Sequence, residues 1–431
     1  MRVLASSLRD YRESAAAFSR PARWFLLATF LSWVGHGVHS VLFNLYLRDL
    51  GFREAFIGSA VSWGGIGLAL AALPGGLLAD RWGRRRTLLL GGAFDGIGLL
   101  SRSLATTPEA ILAASFVAGV GQSLLAVAAA PFLTEHSAAR ERTLLFSSFF
   151  AIELLAGVAG SLLGGWLPGL ADVLPEMLHP APLAASRLTL VAGGMIGLAS
   201  LIPLLALRGA REAPIVHVDQ PGQRRAIGQL LPIGVNAFLI GAGAGLVIPF
   251  MNLYFAQRFD CSSGQIGVFF SVAQISTAIA ALAGPAIARR FGKLRTATAA
   301  ELLSLPFLVS LGAENHLGVA VAAFWLRATL MQASIPLASA FVMEVLPASL
   351  RARATSLMNL VWNIGWAASA TLSGAVIQRF GYAVPFYATA VLYAIAATYF
   401  YLSFRRYPET GGDVKWPDEA KGVRGPGPVS E

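Results

Sequence analysis

Charge is scarce in this sequence. Asp, Glu, Lys and Arg make up 13% of 431 residues, about half the roughly 25% of an ordinary soluble domain. With 55% hydrophobic residues and a mean hydropathy of +0.63, that shortage excludes a water-soluble fold. Cysteine is nearly absent: Cys261 stands alone, which excludes an intramolecular disulfide and leaves the compartment unmarked by thiol usage. No Gly-x-x-x-x-Gly-Lys-Ser/Thr loop occurs, so direct ATP drive has no support, and no His-Glu-x-x-His motif occurs either. A membrane-embedded enzyme, the rival from another class, would need a clustered nucleophile and base; none is found, and no catalytic residue is assigned. His36 and His39, at i and i+3, lack any Cys, Asp or Glu in the same helix to complete a metal set, so no metal site is expected.

What the sequence does have is apolar blocks of about 20 residues, the length that crosses about 30 Å of hydrocarbon. Twelve spans are expected near 24–47, 56–79, 87–104, 109–133, 144–167, 187–207, 229–257, 265–288, 296–313, 317–343, 355–378 and 384–404. The fold class is an all-α membrane protein with twelve transmembrane helices in two six-helix bundles, residues 24–207 and 229–404. Residues 208–228 form a polar central loop between them. The first block, from Trp24, lacks a small-residue cleavage site and is read as a retained span. In the N-terminal segment, residues 1–23, Leu4, Leu8, Tyr11, Ala15 and Phe18 recur at helical spacing. Two readings stay open there, a helix along the membrane surface and a partly ordered tail. The polar, Pro- and Gly-rich tail, residues 405–431, is expected to be disordered.

The net charge is +10 and the pI about 10.2, which in a soluble chain would point to nucleic acid. Placement gives another reason. Under the twelve-span reading 26 of the 33 basic residues fall on one side, as short Lys- and Arg-rich cytoplasmic loops do. Both termini and the central loop are therefore expected in the cytoplasm, the protein in the cytoplasmic (inner) membrane, and no nucleic acid among its partners. The oligomeric state is left open.

The chain also repeats itself at an offset near 209. AsnLeuTyr at 44–46 returns at 252–254, IleGly at 57–58 returns at 266–267, and Gly83, Glu135 and Arg142 align with Gly292, Glu344 and Arg351. Two six-span copies in the same order are parallel repeats about an axis along the membrane normal.

The loop after span two reads Gly76 Leu77 Leu78 Ala79 Asp80 Arg81 Trp82 Gly83 Arg84 Arg85 Arg86. This resembles the signature loop of the major facilitator superfamily, Gly-x-Leu-Ala-Asp-Arg-x-Gly-Arg-Arg, at every specified position. With the twelve spans and the repeat, the resemblance covers residues 24 to 404. It implies a conformational latch built from Gly76, Asp80, Arg81, Gly83, Arg84, Arg85, Glu135 and Arg351. In that latch Asp80 meets the start of span eleven near Arg351 and Arg353, and Arg84 or Arg85 meets Glu135. In the second copy Arg289 replaces the aspartate, leaving Glu344 with Arg289 or Lys293 as partners. Span five carries GlyValAlaGlySerLeuLeuGlyGly at 157–165, similar to the superfamily's antiporter signature but with Ser161 in the proline position. Small-residue helix packing accounts for the same glycines.

Ionisable residues inside spans are costly and mark candidate sites. Span one carries Thr29, Ser32, His36, His39 and Ser40 on one face. The resemblance implies that spans one, four, seven and ten line the central cavity, which makes His36 and His39 candidates. Glu153 of span five shares its face with Gly157, Gly160 and Gly164. Arg327 of span ten needs a counter-charge, either Glu153 or a substrate anion. Asp95 and Arg102 share a face of span three and are read as packing locks; Glu301 is expected to pair with a loop arginine. Span eight offers Gln274, and span eleven presents Asn359, Trp362, Asn363 and Trp366 along one side. Amides beside indole faces suit sugars and amphipathic aromatic compounds equally.

The function expected is secondary active transport of a small molecule by alternating access, as proton-coupled efflux of amphipathic compounds. Proton-coupled uptake of a sugar or small organic anion is the alternative. Beyond the substrate, the lipid bilayer and protons, no cofactor is expected; the proton gradient supplies the energy, with Glu153 as the carrier.

Overall fold

The computed structural model describes residues 18–173, 181–207, 223–346 and 348–407. The surface-helix reading of the N-terminal segment, most of the central loop and the tail from 408 onward lie outside the described residues. Within them the chain is helical and forms no strand. The spans are α1 Arg20–Asp49, α2 Glu54–Trp82, α3 Arg84–Leu104, α4 Pro108–Glu135, α5 Ala139–Trp166 and α6 Pro182–Leu205. In the second half α7 runs as Gln223–Val247 and Met251–Phe259, and is followed by α8 Ser263–Phe291, α9 Lys293–Ala313, α10 Leu317–Val345, α11 Ala348–Phe380 and α12 Ala383–Phe404.

Local chemistry sets the helix ends. Ser19 and Thr107 accept the backbone N–H of Ala22 and Ala110, each with proline in the first turn, and Ser262 with Gln265 closes a capping box on α8. The α2–α3 and α8–α9 corners turn on Gly83 (φ 96°, ψ 149°) and Gly292 (φ 89°, ψ 153°). Only glycine adopts that conformation readily, and the two angles agree across the repeat.

Eleven of the described helices are long and apolar enough to cross a membrane. The twelfth, α3, is less apolar because it carries Asp95 and Arg102; Asp95 is fully buried, and Arg102 lays its guanidinium 4.6 Å from the Phe43 ring centroid. Span seven, expected as one helix, is broken by a 3-10 turn at Ile248–Phe250. Pro249 denies an N–H to the helical ladder there.

The two halves pack alike. Contacts of α1 with α5 and α6, of α3 with α4 and α6, and of α2 with α4 are repeated by α7 with α11 and α12, α9 with α10 and α12, and α8 with α10. Leu70, Leu73, Leu155, Leu188, Ile202, Ile279 and Val391 point outward, as lipid-facing residues do. Between the halves α2 meets α11 and α5 meets α8. At the basic end, which carries the Gly83 and Gly292 corners, each half has its own apolar core: Phe25, Leu88 and Phe132 in one, Ile233, Phe341 and Phe400 in the other. At the distal end a single core runs through both halves and includes Leu42, Tyr46, Ile57, Leu253, Tyr254 and Ile266.

Candidate functional site

A cavity of about 450 Å³ lies between the halves. His36, Gly37 and Ser40 of α1 and Gly157 of α5 line it from one side; Gln274 of α8, Phe324, Arg327 and Gln332 of α10, Trp362 of α11 and Tyr393 of α12 line it from the other. Hydrogen bonds close it toward the distal end. Gln274 donates to Ser161 at 3.1 Å, Ser271 to the Val158 carbonyl at 3.3 Å, and Ser263 to the Gly165 carbonyl at 2.9 Å. Ser62 donates to the Ala367 carbonyl, and Thr371 donates to Ser62 at 2.6 Å. The α5–α8 contact is close because its residues are small: a Cβ built on Gly267 would stand 2.5 Å from the Ser161 carbonyl oxygen.

A second, smaller cavity of about 80 Å³ lies inside the first half. Thr29, Ser32, Trp33 and His36 of α1, Gln122 of α4 and Glu153 of α5 line it, and Trp33 and His36 border both cavities. Here the Trp33 indole meets the Glu153 carboxylate. His36 Nε2 lies 2.8 Å from Asp95 Oδ1, and Ser32 donates to Asp95 Oδ2 at 2.9 Å. Two titratable groups, Glu153 and His36, thus face one small space at mid-depth, and Asp95 holds His36 and Ser32 from behind it.

The structure redistributes the residues expected to form the site. His39 borders neither cavity: its ring nitrogens are taken up by the Gly35 carbonyl at 2.9 Å and by the Leu99 carbonyl and Ser103 hydroxyl, each at 3.1 Å, so it packs α1 on α3. Glu153 and Arg327 do not pair; one lines the small cavity and the other the central one, and the partner of Arg327 is the Tyr393 hydroxyl at 3.3 Å. Asp95 serves His36 and Ser32, which goes beyond a packing lock shared with Arg102. Glu301 is buried in α9 facing Ser334, and meets no loop arginine among the described residues. Gln274 lines the cavity while bridging the halves. Among the described residues of α11, Trp362 borders the cavity; Trp366 stacks on it with centroids 5.1 Å apart, Asn363 donates to the Asn359 carbonyl at 2.8 Å, and Asn359 is exposed.

At the basic end the ion pairs seen among the described residues lie within each half. Asp80 meets Arg84 at 2.6 Å, Arg84 meets Glu135 at 3.5 Å, and Lys293 pairs with Glu344 in the second half. The expected crossing of Asp80 to Arg351 at the start of α11 is not made in this conformation, and the Arg353 side chain lies outside the described residues. Arg351 donates to the Leu346 carbonyl at 3.1 Å, and Arg85 takes the Leu205 carbonyl at 3.3 Å in place of Glu135. Arg81 ends α2, Gly83 forms the corner, and Gly76 has open space where a side chain would stand.

Trp33, Gln122, Gln332 and Tyr393 were not anticipated. A signal existed for the Asp95 pairing, because a lone acid at mid-depth in a span needs a donor on a neighbouring helix and α1 offered two histidines. Nothing in the α12 sequence distinguishes Tyr393 from its other tyrosines.

Comparison with known proteins adds the following. The sequence profile described as "Major Facilitator Superfamily" matches residues 25–231 and 233–429. Among curated relatives, the gallate transporter of Pseudomonas putida is 29% identical over 182 residues, 40% of this chain and 37% of that protein. The cephamycin export protein CmcT of Amycolatopsis lactamdurans is 34% identical over 195 residues, 44% of this chain and 37% of that protein. The matched stretches therefore span little more than a third of these relatives. Among solved structures, a bacterial homolog to the human lysosomal transporter Spinster, in an inward-facing and occupied conformation, superposes with a TM-score of 0.73. That match covers 92% of this chain and 98% of the other at 16% identity, a likeness of fold.

Proposed function

The chain belongs to the major facilitator superfamily, and we propose that it is a secondary active transporter that exports small amphipathic compounds in exchange for protons, by alternating access. One observation carries the reading: a cavity walled by both halves is sealed by hydrogen bonds and a shared apolar core at its distal end, while at the basic end the cores and ion pairs of the described residues remain separate. Rocking of the two halves would reverse which end is closed. Because basic loops stay in the cytoplasm, the basic end is assigned inside, in the inner membrane, and the present conformation is the inward-open one.

The proton is assigned to the small cavity. A carboxylic acid at mid-depth can shed its charge when sealed from water and regain it when water enters, which a guanidinium cannot do. Glu153 is the carrier, and His36, which Asp95 holds, shares its small cavity. Since His36 borders both spaces, a ligand beside it changes the electrostatic surroundings of Glu153, and this links the two movements. The export direction is supported by the kinship with the cephamycin export protein. The glycine face of α5 supports it less, because Gly160 packs on Gly37 and Gly164 on Val38 as close helix contacts.

Reconstitution tests the reading. Proteoliposomes loaded with a panel of amphipathic compounds should show counterflow of some member without a gradient, and accumulation of it only under an imposed pH gradient. Flux that never couples to exchange or to pH would contradict it.

A further inference from the structure

Arg327 is a charge in search of a partner. It lies midway along α10 on the wall of the central cavity, and 4% of it is exposed. One Nη donates to the Tyr393 hydroxyl at 3.3 Å, and Nε has no acceptor. Neither buried acid pairs with it: Glu301 of α9, whose charge acts on Tyr393, bonds Ser334 and keeps one carboxylate oxygen without a partner, and Glu153 sits in the other half's small cavity against Trp33. No carboxylate stands within ion-pair distance of Arg327 among the described residues. A guanidinium stays protonated in a protein, and a buried ion without a counter-charge is among the costliest groups a fold can hold. A phenol, being neutral, does not discharge it.

The surroundings specify the rest of the ligand. Phe324, Phe270 and Trp362 border the same cavity and offer flat apolar surface. Tyr393 packs on Gly243 of α7, where a Cβ would stand 2.5 Å from the tyrosine Cε1. A bare glycine there lets the ring lie close enough for its hydroxyl to hold one arm of the guanidinium. The other Nη makes no hydrogen bond among the described residues, while Nε is enclosed by protein, so a ligand carboxylate would meet the guanidinium through that open Nη.

We propose that the central cavity recognises amphipathic organic anions, with the ligand carboxylate seated on Arg327 and an aromatic or apolar body against Trp362 and Phe324. The assignment rests on the transporter reading above and narrows its substrate class. Tyr393 is a positioning residue, holding the guanidinium and not itself reading the ligand.

The test uses one ring system in three charge states, 1-naphthoate, 1-naphthamide and 1-naphthylmethylammonium, titrated calorimetrically into the full chain in nanodiscs. Naphthoate should bind at least tenfold more tightly than the amide, and the ammonium compound more weakly still. Arg327→Gln should abolish the preference for naphthoate, Arg327→Lys should retain part of it, and Tyr393→Phe should weaken naphthoate several-fold while leaving the amide unchanged. The wild-type series decides the matter even if Arg327→Gln fails to fold. Equal affinity for naphthoate and naphthamide, no binding of naphthoate, or an unaltered preference in a folded Arg327→Gln would each overturn the assignment. Flux separates the two claims: if the ammonium compound binds and is carried with pH dependence while naphthoate is not, transport stands and the anion site falls. If naphthoate binds through Arg327 but no compound crosses the membrane, the site stands and the transporter reading falls.

Discussion

Asn44 of α1 donates its side-chain amide to the side-chain oxygen of Asn252 at 3.3 Å, so the same residue of the two AsnLeuTyr copies meets its counterpart across the boundary between the halves. Each also reaches the other's backbone. Asn44 donates to the Pro249 carbonyl at 2.6 Å, within the 3-10 turn that breaks α7, and Asn252 donates to the carbonyls of Ser40 and Val41 at 3.2 and 3.0 Å. A repeat visible in the sequence thus builds a pseudo-symmetric clasp at the distal gate.

Removing half of the clasp should open that gate. Asn252→Ala deletes both hydrogen bonds to the α1 backbone and leaves the Asn44 amide with the Pro249 carbonyl alone, at about 0.5–1.5 kcal/mol for each bond lost. The distal-open population should rise about tenfold. Spin labels at Thr107 and Asn315, in distal loops of opposite halves, should record it as a longer inter-label distance; an unchanged distribution would reduce the clasp to incidental packing.

Helix spacing should give the same result by another route. Gly267→Ala places a methyl group against the Ser161 backbone carbonyl, and overpacking of this kind costs about 1–3 kcal/mol. The same label pair should separate. Gly76→Ala, where nothing stands within 4 Å of the built Cβ, is the control and should leave the distances as they are.

Asp95→Ala leaves Ser32 and His36 without their buried acceptor, and the thermal midpoint in detergent should fall by several degrees for a loss of about 1–3 kcal/mol. Asp95→Asn keeps one acceptor and should preserve most of the stability while altering the pH profile of flux. If stability is retained in Asp95→Ala, the His36–Asp95 contact does not hold α1 to α3.

At the basic end, Asp80 is 39% exposed and its partner Arg84 is in the same half, so the contact is worth about 1 kcal/mol or less. Asp80→Asn should therefore leave the present conformation intact and act on the opposite one, where the basic ends come together. Slower transport with a several-fold shift toward the inward-open state is expected, read by cysteine accessibility at the basic end. No change in either would leave the arginines as topology markers.

The sequence carried the architecture plainly because lipid imposes a length and polarity rule on every span, and because the repeat doubles each signal. Gly83 and Gly292 share their backbone angles, and Arg84–Glu135 and Lys293–Glu344 are the same pair at the same offset. The site was less legible. Helix periodicity tells which face His39 or Glu153 occupies, but not whether that face meets a cavity or a neighbouring helix. His39 met α3 and Glu153 met a second cavity that no pattern announced. Arg327 was expected to need either Glu153 or a substrate anion as counter-charge, and its separation from Glu153 depends on how the two halves are set against each other, which no helical pattern encodes. The break in α7 hid inside an apolar run whose only mark was Pro249.

The proton assignment to Glu153 is tested most directly by accumulation of radiolabelled 1-naphthoate in proteoliposomes under an imposed pH gradient, with protein-free liposomes subtracted. Wild-type protein should concentrate the compound against its gradient. Glu153→Gln should still exchange it in counterflow but only equilibrate it, whatever the pH difference; a Glu153→Gln variant that concentrates it as the wild type does would contradict the account.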